Sequence, residues 1–142
     1  MTAWVAFCVL SCCFLRADDA PSDDLVHYQQ GLAYERLGRY DEAYTELQVA
    51  ANLQPDSTEM ALAVGVLAAR LGRYDEALRS LEHSIALNAD SVGSYYELAL
   101  LYEKNHLSDR ALESWQRFLA LNQDVPLKDE AQKHIAFLEG QR

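Results

Sequence analysis

Arg36-Leu-Gly-Arg-Tyr-Asp-Glu-Ala43 recurs unchanged as Arg70-Leu-Gly-Arg-Tyr-Asp-Glu-Ala77, 34 residues later. A fixed period of this size marks a stacked array of small units, none of which buries its apolar face alone. With the two octads in register the neighbours agree as well. Gly31 falls on Gly65, Leu47 on Leu81, Leu53 on Leu87, and Asp56-Ser57 on Asp90-Ser91. A third, more divergent copy follows, with Ala99 at the Gly31/Gly65 position, His106 in place of the octad glycine, Ala111 matching Ala43 and Ala77, and Trp115 matching Leu47 and Leu81.

Each repeated position has a physical reason. Gly38 and Gly72 suit the left-handed position that ends a helix. Asp41-Glu42 and Asp75-Glu76 suit the first turn of the next helix, where exposed amides and the dipole favour anions. Gly31, Gly65 and Ala99 are small opposite Ala43, Ala77 and Ala111, so two helices of a hairpin can approach closely. In the third copy Asn105 is expected to take the left-handed turn and Ser108 to cap. Pro55 stops the second helix, and Asp56 with Glu59 offers a capping box for the third.

This pattern resembles the tetratricopeptide repeat family, over residues 24–57, 58–91 and 92–125. The family's small–Tyr–Ala–aromatic–Ala–Pro signature stands as Gly31, Tyr34, Ala43, Leu47, Ala50 and Pro55 in the first unit. The second carries Gly65, Ala68, Ala77, Leu81, Ser84 and Ala89. The third carries Tyr95, Ala99, Tyr102, Ala111, Trp115 and Phe118. His27 and Ala61 replace the family's leading aromatic, and only the first unit keeps the terminal proline. The resemblance implies an all-α fold, a right-handed superhelical α-solenoid of antiparallel helix hairpins. The remaining segment, 126–142, starts with a proline suited to a first helical turn. It places Leu127, Ala131, Ile135 and Leu138 at helical spacing, so it reads as a capping helix and tail.

The resemblance also implies where a ligand would go. The first helices of the hairpins line the hollow side, with Tyr28, Leu32, Leu62, Val66, Tyr96 and Leu100 central and Arg36, Arg70 and Lys104 as a basic row at one margin beside Glu35 and Glu103. The expected ligand is an apolar or aromatic segment of another protein. Members of the family that grip a terminal carboxylate do so with Lys, Asn and Arg at set groove positions; here Tyr28 and Leu32 occupy the first two.

The chain has 142 residues, 50% of them hydrophobic and 24% charged, enough for one domain with a sizeable core. Its formal net charge of −10 opposes a phosphate backbone and argues against nucleic-acid binding. All three cysteines lie in the first 13 residues, so neither a disulfide framework nor a zinc cluster can form in the repeats. The four histidines, at 27, 83, 106 and 134, lack metal-ligand spacing; His27 sits at a packing position and the others read as surface or turn residues. No strand, nucleophile elbow or phosphate-binding glycine loop is present, so no catalytic residue, cofactor or metal is expected.

Trp4 to Leu15 is an uncharged run, too short for a comfortable membrane span and of the length of a secretory h-region. Residues 1–17 therefore read as a signal peptide or lipid-anchor leader and 18–23 as a linker. Val9-Leu-Ser-Cys12 resembles a bacterial lipobox, which would make Cys12 a lipidation site and tether the domain to a membrane. The function expected is a non-catalytic, exported protein-interaction module, periplasmic or secreted. The alternatives are a lipid-anchored envelope assembly factor and a regulatory subunit of an enzyme complex.

Overall fold

The computed structural model describes residues 21–141; the leader with Cys12, and the linker as far as Ala20, lie outside the described residues. Seven helices follow in order: α1 (Asp23–Arg36), α2 (Tyr40–Leu53), α3 (Thr58–Arg70), α4 (Tyr74–Leu87), α5 (Val92–Lys104), α6 (Ser108–Leu121) and α7 (Val125–Gly140). No strand occurs among the described residues. α1–α2, α3–α4 and α5–α6 form three antiparallel hairpins stacked in chain order, and α7 packs on α6. Gly38, Gly72 and Pro55 fall between helices and Pro126 in a first helical turn, as expected, and the fold is an all-α solenoid.

The small-residue rule has a definite geometry. A Cβ at Gly31 would lie 2.6 Å from Leu47 Cγ, and one at Gly65 2.7 Å from Leu81 Cγ. Glycine is required because the leucine one turn beyond the facing alanine fills the crossing. Ala43, Ala77, Ala111, Leu47, Leu81 and Trp115 are all fully buried.

The three hairpin turns share one closure. Arg39 N–H donates to Tyr34 O, Arg73 N–H to Ala68 O, and Leu107 N–H to Tyr102 O, each at 2.8–2.9 Å. This is the closing bond of a Schellman turn, and it needs one left-handed residue. Gly38 (φ 72°) and Gly72 (φ 74°) supply it in two turns, and His106 (φ 58°) in the third. Asn105, expected in that role, instead keeps φ −96° as the helix cap, and its Nδ2 donates to Leu101 O. The carbonyl acceptors stand in the same register in each hairpin, so the left-handed place is set by the turn, whichever side chain falls there.

Two further capping expectations are corrected. Ser57, not Asp56, caps α3, its hydroxyl accepting from Met60 N–H at 3.3 Å. Ser108 is already inside α6, whose cap position is Leu107.

Stacking seams between hairpins are apolar at their centre and polar at their margins. Tyr44 Oη donates to Glu76 Oε2 at 2.6 Å, and Arg73 lies over the Tyr44 ring. Burial, followed by the bond to Glu76, holds the Tyr44 phenol above its ordinary pKa. Farther along, Ser84, Ser91 and Ser94 form a buried hydroxyl cluster, Ser94 Oγ donating to Ser84 Oγ at 2.8 Å and Ser84 Oγ to Thr58 O at 3.2 Å. Ser84 therefore replaces the family's alanine with a hydroxyl whose partners are all internal.

Candidate peptide-binding face

The residues expected on the groove side recur at the repeat spacing on the first helix of each hairpin. On α1 these are Tyr28, Leu32 and Arg36; on α3, Leu62, Val66 and Arg70; on α5, Tyr96, Leu100 and Lys104. The six central side chains are all half-buried, whereas the packing residues of the second helices, such as Leu47, Leu81 and Trp115, are sealed. A partly covered apolar strip thus runs across three adjacent helices.

The side chains along it differ in what already holds them. Leu62 Cδ2 lies 3.0 Å from where a Gly93 Cβ would stand, so α5 approaches α3 closely here and Leu62 partly serves the seam. Tyr96 belongs to the junction with the last helix: its ring meets Trp115 edge-on at 5.4 Å and Phe118 at the same distance, and its hydroxyl donates to Glu130 Oε1 at 3.0 Å. Burial first, then Glu130, raises its pKa. Tyr28 has no such lock; burial and then Glu59 and Glu35 raise its pKa.

The basic row is only partly available. Arg70 Nη1 pairs with Glu35 Oε1 at 3.1 Å, and its guanidinium lies 5.7 Å from the Tyr40 ring. Lys104 Nζ sits 5.0 Å from the Tyr74 ring. The same device thus recurs one repeat apart: a cation at the end of one first helix covers the tyrosine that opens the second helix of the hairpin before it. Arg36 is exposed.

Glu103 also leaves the margin. It accepts from Trp115 Nε1 and lies 3.0 Å from His134 Nδ1, while the His134 ring stacks on Trp115 at 4.7 Å and 23°. His134 is therefore a packing residue, not the surface or turn residue expected from the sequence. Only its distance from Trp115 and Glu103 in the fold reveals this, and helical spacing within α7 carries no sign of it. Of the expected apolar face of α7, Ala131 and Leu138 are buried and Ile135 half-buried, but Leu127 is exposed. The loop into α7, residues 122–124, is one residue shorter than the loop into α5, 88–91.

One residue that spacing did not single out stands on this face. Glu97, one turn before Leu100, is half-buried beside Arg70 and forms no hydrogen bond to any described residue. Burial raises its pKa, with Arg70 opposing more weakly.

Clefts also lie elsewhere on the molecule. One of about 300 Å³ is lined by Glu82, Tyr95, Leu98, Tyr102, Arg110 and Glu113 among others. Its cations are already engaged, Arg110 over Tyr102 and Arg117 over Tyr95, each at 5.7 Å. A shallow strip suits a chain segment better than a small molecule, so enclosure does not decide between the two places. Among the described residues no three His, Cys, Asp or Glu side chains converge as metal ligands, and no helix is long and apolar enough to cross a membrane.

The tetratricopeptide repeat profile matches residues 14–58 and 28–92, more than half of the sequence, and the chain belongs to this family. Proteins of the family are commonly interaction modules that bind peptides of other proteins and are generally non-catalytic. Among solved structures, the first such domain of Spaghetti (RPAP3), bound to the HSP90 peptide SRMEEVD, is 20% identical with a TM-score of 0.74, covering 82% of this chain and 96% of that one. MamA is 23% identical with a TM-score of 0.77, covering 87% and 71%. The Yersinia enterocolitica type III secretion chaperone SycD, in complex with a peptide of the translocator YopD, is 15% identical with a TM-score of 0.78, covering 82% and 92%. At these identities the likeness is one of fold. No curated protein matches the sequence.

Proposed function

We propose that this protein is a non-catalytic scaffold or assembly factor acting outside the cytoplasm, and that it holds an apolar or aromatic segment of another protein on the face formed by α1, α3 and α5. The observation that carries this reading is the strip of half-buried Tyr28, Leu32, Leu62, Val66 and Leu100, which recurs at one register on the three first helices. Covering such a strip removes apolar area from water at about 25 cal/mol per Å², before ordering costs. The RPAP3 and SycD domains, similar in fold, are each seen with a peptide. The carboxylate-gripping chemistry of some relatives does not fit here, since Tyr28 and Leu32 stand where that chemistry needs polar side chains.

The test is affinity capture from the native source with the full chain and with a Tyr28→Ala/Leu32→Ala/Val66→Ala variant of unchanged helical content. Loss of the captured partner in the variant supports the reading. Capture at full strength sinks it. Export rests on the apolar run Trp4–Leu15 and on Leu15-Arg-Ala17, an acceptable cleavage pattern before Asp18, with a second acceptable cut after Ala20; Val9-Leu-Ser-Cys12 favours a lipid-anchored alternative. Mass spectrometry of the mature amino terminus separates them, an acylated Cys12 meaning an anchor and a start at Asp18 or Pro21 meaning release. A regulatory subunit would reveal itself by co-purifying with a catalytic chain.

A further inference from the structure

At the third-repeat end of the proposed binding face the carboxylates are the less satisfied side, whereas at the first-repeat end it is Arg36 that stands exposed. Glu35, Glu59, Glu97 and Glu130 lie along or at the end of the strip, against Arg36, Arg70 and Lys104. Arg70 is held by Glu35 and Lys104 is parked over Tyr74. Glu130 receives only the Tyr96 hydroxyl, a neutral donor. Glu97 receives no hydrogen bond and shares the attention of an arginine already bonded to Glu35. The Glu97 oxygens still reach water, since no buried side-chain polar atom among the described residues lacks a partner, but partial burial favours a charged donor brought by a ligand.

We infer that the segment held on this face is an apolar stretch bearing Lys or Arg, its cation docking between Glu97 and Glu130 while its apolar side chains cover Leu32, Val66 and Leu100. This rests on the reading of the face as the partner site and adds the partner's chemistry. The two carboxylates flank Tyr96 on α5 and α7, so the cationic residue sits at the third-repeat end of the strip. The overall charge of −10 further favours encounter with a basic partner. At this end of the strip an acidic residue is disfavoured by Glu97 and by the prior engagement of Arg70.

The experiment uses the full chain and synthetic peptides of equal length with leucine at helical spacing and lysine, glutamine or glutamate between. Affinities are read by fluorescence anisotropy at low and physiological salt, for the wild type, Glu97→Gln, Val66→Glu and Glu139→Gln, the last an exposed charge removed away from the strip. The leucine–lysine peptide is expected to bind most tightly. Glu97→Gln is expected to weaken it about five- to tenfold, the scale of one partly desolvated ion pair, while Glu139→Gln leaves it unchanged. Equal affinity for the lysine and glutamine peptides, or equal loss in both Gln variants, overturns the charge assignment. If Val66→Glu still weakens both peptides, the binding face itself stands. If no peptide binds, or Val66→Glu changes nothing, both inferences fall.

Discussion

The two ends of the stack finish in different ways. On α3, Met60, Val64 and Leu67 are buried, and on α5, Ser94, Leu98 and Leu101 are, because a preceding hairpin covers them. Their counterparts on α1 are Val26, half-buried, and Gln30 and Ala33, both exposed. Among the described residues that face offers little apolar surface beyond Val26. At the other end the third hairpin carries Trp115 and Phe118 where the second carries Leu81 and Ser84, and these need a cover. α7 provides it, through His134 stacked on Trp115, Glu130 on Tyr96, and the buried Ala131 and Leu138. Among the described residues, then, one outer face is poor in large apolar side chains and the other is covered by an added helix.

The largest test of this contrast is Trp115→Ala. Trp115 is fully buried and touches Tyr96, Phe118, His134 and Glu103, so its truncation is expected to cost about 3–5 kcal/mol in urea unfolding. A loss below 1 kcal/mol would mean that α7 is not seated on it. Next comes Gly65→Ala, whose Cβ would press on Leu81 Cγ; a cost of about 1–3 kcal/mol is expected, as for an overpacked core. The double change with Leu81→Ala should be markedly non-additive, because the smaller side chain removes the clash.

A milder effect distinguishes the turns. His106→Gly should stabilise by about 0.5–1 kcal/mol by relieving a left-handed non-glycine residue, and Gly72→Ala should destabilise by a similar amount, since nothing lies within 4 Å of its added Cβ and only the backbone objects. Opposite signs in thermal melts check both.

Smallest is Glu97→Gln. Its folded pKa is raised, so the folded protein binds that proton more tightly than the unfolded chain does. The carboxylate therefore opposes folding above the folded pKa, and the opposition fades as pH falls through it. The variant is expected to melt slightly higher than wild type at neutral pH, the gap closing toward acid. A lower melting point at neutral pH would show that Arg70 outweighs burial.

Much of this was legible in the residues. The octad, the small residues at 31, 65 and 99, and the turn glycines mark helix ends and hairpin crossings, because those depend on local backbone chemistry repeated at one period. What escaped was set across the stack. Glu103 looks like a margin residue until Trp115 and His134 converge on it, from 12 and 31 residues away. Tyr96 looks free until Glu130 reaches it from α7. His106 takes the left-handed place because three turns share one closing bond, a constraint stronger than the preference of Asn105 for that conformation. The positions of the candidate binding residues followed from the register, but their degree of engagement did not, since ion pairs such as Arg70–Glu35 join adjacent repeats.

Site-specific photo-crosslinking in the native host asks most directly whether the hollow side is where the partner sits. A benzophenone amino acid at position 66, on α3, should trap a partner chain, and the same group at position 117, on the outward side of α6, should not. Adducts at position 117 with none at position 66 would contradict the account.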